Sequence, residues 1–283
     1  MNRPTSQRLE VAKPVQSPYG LLSPAVKVIE IDNDWWLSGA IHELYDGGVS
    51  YSVVADQGFD PDDVIREMVV EDLGEPRFVH IVPVTVEARI RTSTIGVDLD
   101  DLKQKAEDAI ELVQQKAIET AFLEYLGSGF RSLAGENETV NSVQVSSPPV
   151  PPRYAQALLE GAVADNTVGY QATLHFPRLA SSNLRVWDVD GVLTTRNGSQ
   201  IIAGSGYSIK GPDGSDLPET QRAAYATGPV TVVLGETVLL PDDVSQVVDT
   251  KNNTAELFAQ RPAMVAFSTK DVFSVLVDTT LDS

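Results

Sequence analysis

The sequence of 283 residues contains no cysteine and only three histidines, at positions 42, 80 and 175. The absence of cysteine excludes a disulfide framework and thiolate chemistry. Because His42, His80 and His175 are far apart and share no metal-ligand spacing, a zinc site is not expected. The chain also has no run of about 18 apolar residues and no apolar signal-peptide core near its first residue. We therefore expect no metal, no cofactor and no membrane partner.

Basic residues are scarce as well. The chain has 21 Lys and Arg against 40 Asp and Glu, a net charge of −19. This charge opposes general attraction to nucleic acid, although it is compatible with a protein that encloses nucleic acid without gripping it. The hydrophobic fraction of 42% is that of a folded soluble protein. The length is sufficient to bury a sizeable core in one large or two modest domains.

The longest regular pattern runs over residues 98–126. Apolar residues recur there every three or four positions, which predicts one long amphipathic helix of about 43 Å. Asp98 is the expected N-cap, and Gly127 is expected to end the helix in a left-handed conformation. The rest of the chain reads mostly as strand and loop, so we predict an α+β fold. The predicted buried stripe of the helix consists of Leu99, Leu102, Ala106, Ala109, Ile110, Val113, Ala117 and Ala121.

Two segments before this helix have few core-forming patterns. Residues 1–26 hold four prolines and no periodicity, which indicates an extended arm. Residues 27–77 contain a hairpin signal at Gly47-Gly48 and an acidic stretch broken by glycine and proline. We expect this segment to be a projecting hairpin loop that finds its partner on another subunit. Alternating apolar residues over 82–90 then predict a strand that leads into the helix.

A proline cluster at positions 148–152 predicts a domain boundary after the helix. The region that follows it has one helical pattern and several strand and turn patterns. We predict a helix over 154–163, strands over 169–176, 265–267 and 272–277, one or two strands over 223–240, and turns at Asn197-Gly198 and Asn252-Asn253.

The sharpest catalytic candidate is the segment VWDVDGVLTT, residues 186–195. It resembles the first motif of haloacid-dehalogenase-type phosphatases, in which Asp188 would be the nucleophile and Asp190 the general acid and base. Asp242 and Asp243 would then be the Mg²⁺-binding pair. That site needs a parallel sheet with alternating helices, but the chain after residue 195 reads as strands and loops. We therefore interpret residues 188–191 as a turn before a strand.

Three further patterns are weak candidates for a site. Gly204-Ser205-Gly206 resembles a dinucleotide loop but lacks the third glycine and the following helix, so a turn that ends a strand is the simpler explanation. Asp60, Asp62 and Asp63 resemble a calcium loop but lack the ligand spacing and the terminal Glu, so a solvated acidic loop is the simpler explanation. Trp35-Trp36 could form an interaction patch, but packing in the core or support of the hairpin explains the pair more simply.

The segments GYQATLHFPRL, DGVLTTRNGSQIIAGSGY and AAYATGPVTVVLGE occur in this order after the proline cluster. Together they resemble the major capsid proteins of tailed bacteriophages, particularly of phages that infect actinobacteria. The N-terminal PYGLLSPAV, the long helix and the C-terminal segment are also similar to that group. Ile201 departs from the pattern, and residues 56–77 have no match. The matching residues are His175, Pro177, Arg178, Gly191, Leu193, Thr194, Thr195, Gly198, Gly204, Gly206, Tyr207 and 224–230.

The resemblance implies an α+β capsid fold of the Hong Kong 97 type. It would divide the chain into an N-terminal arm (1–26), an extended hairpin loop (27–77), a peripheral domain (78–150) with a spine helix (98–126), an axial domain (151–240) and a return to the peripheral domain (241–283).

The implied function is structural and not enzymatic. Pentamers and hexamers of the chain would form an icosahedral virion shell around double-stranded DNA without binding it specifically, after assembly in the host bacterial cytoplasm. The implied partners are other copies of the chain and scaffold, portal or decoration proteins. The alternatives are an encapsulin-like shell around protein cargo and, with less support, the phosphatase.

Overall fold

The structure is a computed structural model. It describes residues 17–32, 40–44, 77–81, 84–93, 99–128, 142–166, 171–207, 210–241, 247–249, 251–267 and 272–280, with backbone alone for 40–44, 77–81 and 124–128. Within these ranges, fifteen strands and three helices form two mixed sheets, a separate antiparallel strand pair and two hydrophobic cores.

A six-stranded sheet is built around one long strand, β14. On one edge of β14, β4 pairs antiparallel along ten residues. On the other edge, β13, β12 and β11 pair with it in succession, and β1 lies parallel to β11. The strands are β1 (Lys27–Glu30), β4 (Val84–Ser93), β11 (Val230–Leu234), β12 (Val238–Leu240), β13 (Val248–Asp249) and β14 (Thr254–Phe267).

The 14-residue length of β14 differs from the predicted short strand at 265–267. Pro262 interrupts the strand pattern in the sequence, because proline cannot donate to a ladder. In the structure, Pro262 lies where the partner on one edge changes from β12, which ends opposite Gln260, to β11, which ends opposite Ala263. The Pro262 carbonyl still accepts from Gly235 N at 2.9 Å. The proline therefore occupies a gap between two partner strands.

A seven-stranded sheet forms the second layer. Helix α2 (Pro152–Asn166) packs on one of its faces, and α3 (Arg178–Ser181) follows β6. A separate antiparallel pair joins β2 (Ala40–Leu44) to β3 (Arg77–Ile81). In spatial order the seven strands are β5 (Val143–Gln144), β15 (Phe273–Asp278), β10 (Gln221–Thr227), β6 (Thr173–Pro177), β9 (Gln200–Gly204), β8 (Val192–Thr194) and β7 (Trp187–Val189).

Helix α1 (Leu99–Ser128) confirms the predicted long helix. Asp98 lies outside the described residues, so its role as N-cap stays a prediction. Gly127 lies inside α1, so its predicted role as a left-handed cap is wrong. Helical geometry continues through Ser128.

The predicted buried stripe of α1 is confirmed in its first half and only in part in its second, where Ala117 packs against the first core. Leu102, Ala106 and Ile110 are buried, but Val113 is 39% exposed. The buried positions advance by four residues, and each such step rotates about 40° around the helix axis. The face that meets protein therefore turns away from the apolar stripe. The side chains buried in the second half are Gln114, Gln115, Ile118, Glu119, Phe122 and Leu123.

The rotation brings the second half of α1 against both sheets. Helix α1 packs on β4 and β14, and the Phe122 ring lies 5.1 Å from Phe267 of β14 and 5.1 Å from His175 of the seven-stranded sheet. The first hydrophobic core thus joins α1, the six-stranded sheet and one face of the seven-stranded sheet, including Ala223 and Tyr225. The second core joins α2 and the opposite face, including Ala224 and Ala226. The seven-stranded sheet lies between α1 and α2.

Most of the shorter predictions are confirmed. The predicted helix over 154–163 lies inside α2, whose first residue is Pro152. The Asn197-Gly198 turn joins β8 to β9 with Gly198 at φ +91°, and a turn at residues 251–253 joins β13 to β14. Residues 223–240 hold three strands instead of one or two, and these are divided between the two sheets.

Sheet membership also differs from the predicted segments. Strand β1, at the start of the predicted hairpin loop, belongs to the six-stranded sheet. Strands β11 and β12 in segment 151–240 also belong to that sheet, whereas β15 in segment 241–283 belongs to the seven-stranded sheet. The alternation of apolar residues that predicts a strand does not indicate the sheet to which the strand belongs. The described partner of β2 is β3, and Gly47-Gly48 lies outside the described residues.

Candidate functional site

The phosphatase-like motif folds as a tight hairpin. Strands β7 and β8 are antiparallel, and Asp190 (φ 54°) and Gly191 (φ 81°) connect them with the two positive φ angles of a type I′ turn. The Asp188 carboxylate accepts from Gly191 N at 2.9 Å and from the Tyr19 hydroxyl at 2.6 Å. An aspartate on such a hairpin does not lie at the carboxyl end of a parallel strand, where the phosphatase site would be. The predicted turn before a strand is confirmed at residues 190–191, whereas residues 188–189 belong to β7.

The residues that carry the most specific chemistry are buried between α1 and the seven-stranded sheet. We call this cluster the polar junction and define it as Gln115, Glu119, His175, Tyr207 and Thr227, all of which are buried. Of these, His175, Tyr207 and Thr227 are among the residues that carry the resemblance, and Gln115 and Glu119 are not. Glu119 was missed because nothing in the sequence marks the rotation of the buried face of α1.

Glu119 joins three parts of the chain. From α1 its carboxylate accepts a hydrogen bond from Leu21 N at 3.0 Å and one from Gly206 N at 2.7 Å. Burial raises the pKa of Glu119, and hydrogen bonds from Gly206, Leu21, Ser205 and Gln115 lower it in part. The N-terminal segment and the turn after β9 are thereby attached to the same helix residue.

The glycines of the Gly204-Ser205-Gly206 motif allow this contact. A Cβ atom at Gly206 would lie 2.5 Å from Glu119 Cβ and 2.5 Å from Lys116 O. At Gly204 it would lie 2.1 Å from the Tyr207 ring. The two glycines therefore let the backbone approach α1 closely enough for Gly206 N to reach the carboxylate. The motif is a packing device and not a dinucleotide loop.

His175 on β6 is fully enclosed. Its Nδ1 lies 2.9 Å from the Tyr207 hydroxyl, and its Nε2 lies 2.9 Å from Thr227 Oγ1. The Thr227 hydroxyl donates to Gly228 O, so it accepts from Nε2–H, and the Tyr207 hydroxyl donates to Nδ1. Burial lowers the pKa of His175 to about 3 and raises the pKa of Tyr207. Both groups are therefore neutral near neutral pH and hold fixed donor and acceptor roles.

The polar junction is suited to joining segments, because its hydrogen-bonding groups are used internally. Among the described residues no group of three or more His, Cys, Asp or Glu side chains is arranged to hold a metal ion. The positions Asp60, Asp62, Asp63, Asp242 and Asp243 lie outside the described ranges, as does Trp35-Trp36.

The helices of the described part of the chain include none with the length and apolar character that a membrane span requires.

The fold is similar to that of solved chains from phage-type capsids. The chain is similar over almost its whole length to the capsid of an empty GTA particle, with 11% identity, a TM-score of 0.53 and coverage of 98% of this chain and 95% of that chain. It is also similar to the capsid of Ralstonia phage GP4, with 12% identity, a TM-score of 0.50 and coverage of 99% and 97%. A chain of Gordonia phage Cozz matches with 14% identity, a TM-score of 0.50 and coverage of 98% and 91%.

No protein-family model matches the sequence, and no curated protein matches it. At identities of 11–14%, the likeness is one of fold. The α+β class and the capsid-type fold expected from the sequence are thus confirmed.

Proposed function

We propose that this chain is a major capsid protein, whose copies assemble into the closed shell of a bacteriophage-type particle. The observation that carries the proposal is the whole-chain likeness to the GTA capsid, which covers 98% of this chain and 95% of that one. The likeness therefore extends over almost all residues of both chains and is not confined to one part of the fold.

In this proposal, α1 and the six-stranded sheet form the peripheral domain, and α2 with most of the seven-stranded sheet forms the axial domain. The pair β2–β3 is the base of the extended hairpin loop, which we place after β1 because β1 belongs to the six-stranded sheet. The N-terminal arm expected over residues 1–26 is part of the same proposal. Pentamers and hexamers of such subunits would tile an icosahedral virion shell.

The net negative charge of the chain supports the proposal that it encloses DNA without binding it. At −19, the protein repels the phosphate backbone in general, so double-stranded DNA would be enclosed without being held. Apolar side chains also remain exposed on α1, with Leu112 at 44% and Val113 at 39%. Exposed apolar surface next to alanines at 117 and 121 is typical of a face that another copy covers. Scaffold, portal and decoration proteins are further partners in this proposal.

Expression of the chain, alone and with the scaffold encoded near its gene, tests the proposal. We expect closed shells, or rings of five and six subunits, in negative-stain electron micrographs. A protein that stays at the monomer mass of 30.5 kDa in both cases would contradict it.

An encapsulin-like shell is the second candidate, because it shares the fold. The contents of particles purified from the natural source separate the two: DNA supports the capsid, and a single enriched protein supports the encapsulin. For the phosphatase, we expect Asp188→Asn and the parent to be equally inactive in Mg²⁺-dependent hydrolysis.

A further inference from the structure

A surface groove of about 900 Å³ lies on the α2 side of the seven-stranded sheet. Its walls are the first half of α2, residues 184–187 and the turn at residues 196–197. Three arginines line it, Arg153, Arg185 and Arg196, and all three are exposed. Tyr154 and Trp187 lie beside them with 56% and 52% of their surface exposed. We call this feature the arginine groove.

The walls of the arginine groove are held in place by polar contacts from α2. Gln156 Oε1 accepts from Arg185 N at 3.3 Å, and Arg153 Nε donates to Asn183 O at 3.1 Å. Glu160 accepts from the Thr195 hydroxyl and, at 3.2 Å, from Asn197 Nδ2. The groove is therefore formed before any partner arrives, which lowers the entropic cost of binding.

The charge of the groove is opposite to that of the chain. Among the residues that the structure describes, no carboxylate forms an ion pair with the three arginines. Glu160, the one acidic lining residue, is occupied by the 195–197 turn. Arginine beside exposed Trp and Tyr is the composition that dominates binding energy at protein interfaces. The expected partner is an acidic protein segment.

Such a segment exists on the same chain. Residues 211–219, which we call the acidic loop, carry Asp213, Asp216 and Glu219, all of which are exposed. The loop has a defined shape, because Gly211 N donates to Ser215 O at 2.7 Å and the backbones of Lys210 and Asp216 form an isolated antiparallel β-bridge. Hydrogen bonds from the Ser215 hydroxyl and N–H lower the pKa of Asp213, so its carboxylate stays charged in mild acid.

The arginine groove and the acidic loop lie on opposite faces of the seven-stranded sheet. Leu217 of the loop packs against the first core, on the face toward α1. Leu184 and Val186 of the groove pack with the second core, on the face toward α2. The two features of one copy point in opposite directions and are available to different neighbours.

We propose that the arginine groove of one copy receives the acidic loop of the next copy around a ring. The proposal rests on the shell function proposed above and names the contact that would close its pentamers and hexamers. A surface that meets a different surface on the next copy is heterologous, and such contacts generate closed rings when the rotation closes. Complementary charge sets the register and suppresses wrong pairings.

Charge reversal tests the contact. One variant carries Arg153→Glu, Arg185→Glu and Arg196→Glu, and a second carries Asp213→Lys, Asp216→Lys and Glu219→Lys. We expect each alone to reduce the yield of rings and shells by about tenfold or more, because like charges then face each other. A chain with all six changes is expected to recover assembly, since the complementarity is restored with its sign inverted.

Mixing the two triple variants shows whether the contact is between copies. In a mixture, the acidic groove of one faces the basic loop of the other, so hexamers that alternate the two are expected, and pentamers are not. The control reverses three exposed charges elsewhere, with Lys103→Glu, Lys105→Glu and Arg178→Glu. We expect wild-type assembly from it. Circular dichroism checks that each variant is folded.

Wild-type assembly by the groove variant would overturn the proposal and leave the shell function intact. Failure of the six-change chain to assemble while it is folded would also overturn it. Binding of a fluorescent single-stranded oligonucleotide that the groove variant loses, with unchanged assembly, would assign the groove to nucleic acid instead. A parent that forms no rings or shells at all would contradict the proposed function itself.

Discussion

His175 is held neutral inside the protein by burial and by two hydrogen bonds, one from the Tyr207 hydroxyl to Nδ1 and one from Nε2–H to Thr227 Oγ1. Its ring lies 5.1 Å from the Phe122 ring in a tilted arrangement, and Phe122 in turn lies 5.1 Å from Phe267 in an edge-to-face arrangement. A charged imidazolium there would lose its hydration without a carboxylate in direct contact. The resemblance to capsid proteins singled out this histidine from the sequence, but its neutral state follows only from the enclosure.

The buried state of His175 predicts a dependence of stability on pH. The folded-state pKa of about 3 lies below the ordinary value of 6.5, so the unfolded chain takes up a proton first as the pH falls. The contribution of His175 to stability is therefore present above pH 6.5 and is lost progressively toward pH 3. Between about pH 8 and pH 5 the loss is about 2 kcal/mol.

Urea unfolding of the wild type and of His175→Phe at a series of pH values measures this term. We expect the difference between their unfolding free energies to shrink by that amount on acidification. The variant is less stable throughout, because the Tyr207 hydroxyl loses its acceptor, so only the change with pH is compared. A difference that stays constant from pH 8 to pH 5 would show that His175 is not held neutral.

Gly206 is required by close approach and not by backbone angle. An alanine there would place Cβ 2.5 Å from Lys116 O and 2.9 Å from Thr120 N, which are backbone atoms that cannot move separately. We expect Gly206→Ala to lower the unfolding free energy by about 1–3 kcal/mol. Gly161→Ala in α2 is the matched control, because nothing lies within 4 Å of its added Cβ. We expect that change to be neutral or stabilising by up to about 1 kcal/mol.

Thermal unfolding of both variants checks this pair. Equal melting temperatures for Gly206→Ala and Gly161→Ala would contradict the close packing of the turn on α1.

At the scale of elements, α1 joins the two layers of the molecule. It packs on the six-stranded sheet, and its second half receives the N-terminal segment and the turn after β9 through Glu119. Ala203 N also donates to Tyr19 O at 2.7 Å, which brings the same two segments together directly. The helix therefore couples the start of the described chain to the seven-stranded sheet.

Removing the Glu119 carboxylate should release both attached segments. In Glu119→Ala the N–H groups of Leu21 and Gly206 lose their acceptor, at a cost of about 1–3 kcal/mol for each buried group. We expect the amides of residues 20–22 and 205–207 to exchange hydrogen faster in mass-spectrometric measurements. Glu119→Gln, which keeps one acceptor oxygen, should have an intermediate effect.

Amides of β10 and β15 serve as the internal control and should exchange as in the wild type. Uniformly faster exchange over the whole chain would instead indicate general destabilisation and would contradict a local role for Glu119.

Sequence reasoning predicted individual elements better than their partners. The long helix, the strand predicted over 82–90 and both Asn-containing turns were found because each depends on a pattern of neighbouring residues in the sequence. The second half of the α1 stripe was predicted only in part, because both sheets determine which of its residues are buried. The length of β14 was missed because a proline usually ends a strand. Pro262 fits inside β14 because it lies between the residues that pair with β12 and those that pair with β11. The polar junction was missed for the same reason: its residues meet only after the layers pack.

At the scale of the whole molecule, the capsid-type fold was predicted from the ordered set of short motifs, although no single one is specific. The structure explains why several of them matter. Gly191 completes a type I′ turn, Gly204 and Gly206 allow contact with α1, and Tyr207 bonds His175. These residues stabilise a subunit, and the proposed assembly depends on surfaces that the subunit leaves uncovered, chiefly the arginine groove and the acidic loop.

The central claim is that copies of this chain close into a shell. Cryo-electron microscopy of the protein, expressed alone and with the proposed scaffold protein, tests it most directly. The account predicts an icosahedral particle in which rings of five and six subunits each fit the fold described above, with the arginine groove facing a neighbour. Open sheets, a single ring size without closure, or a monomer under all conditions would contradict the account.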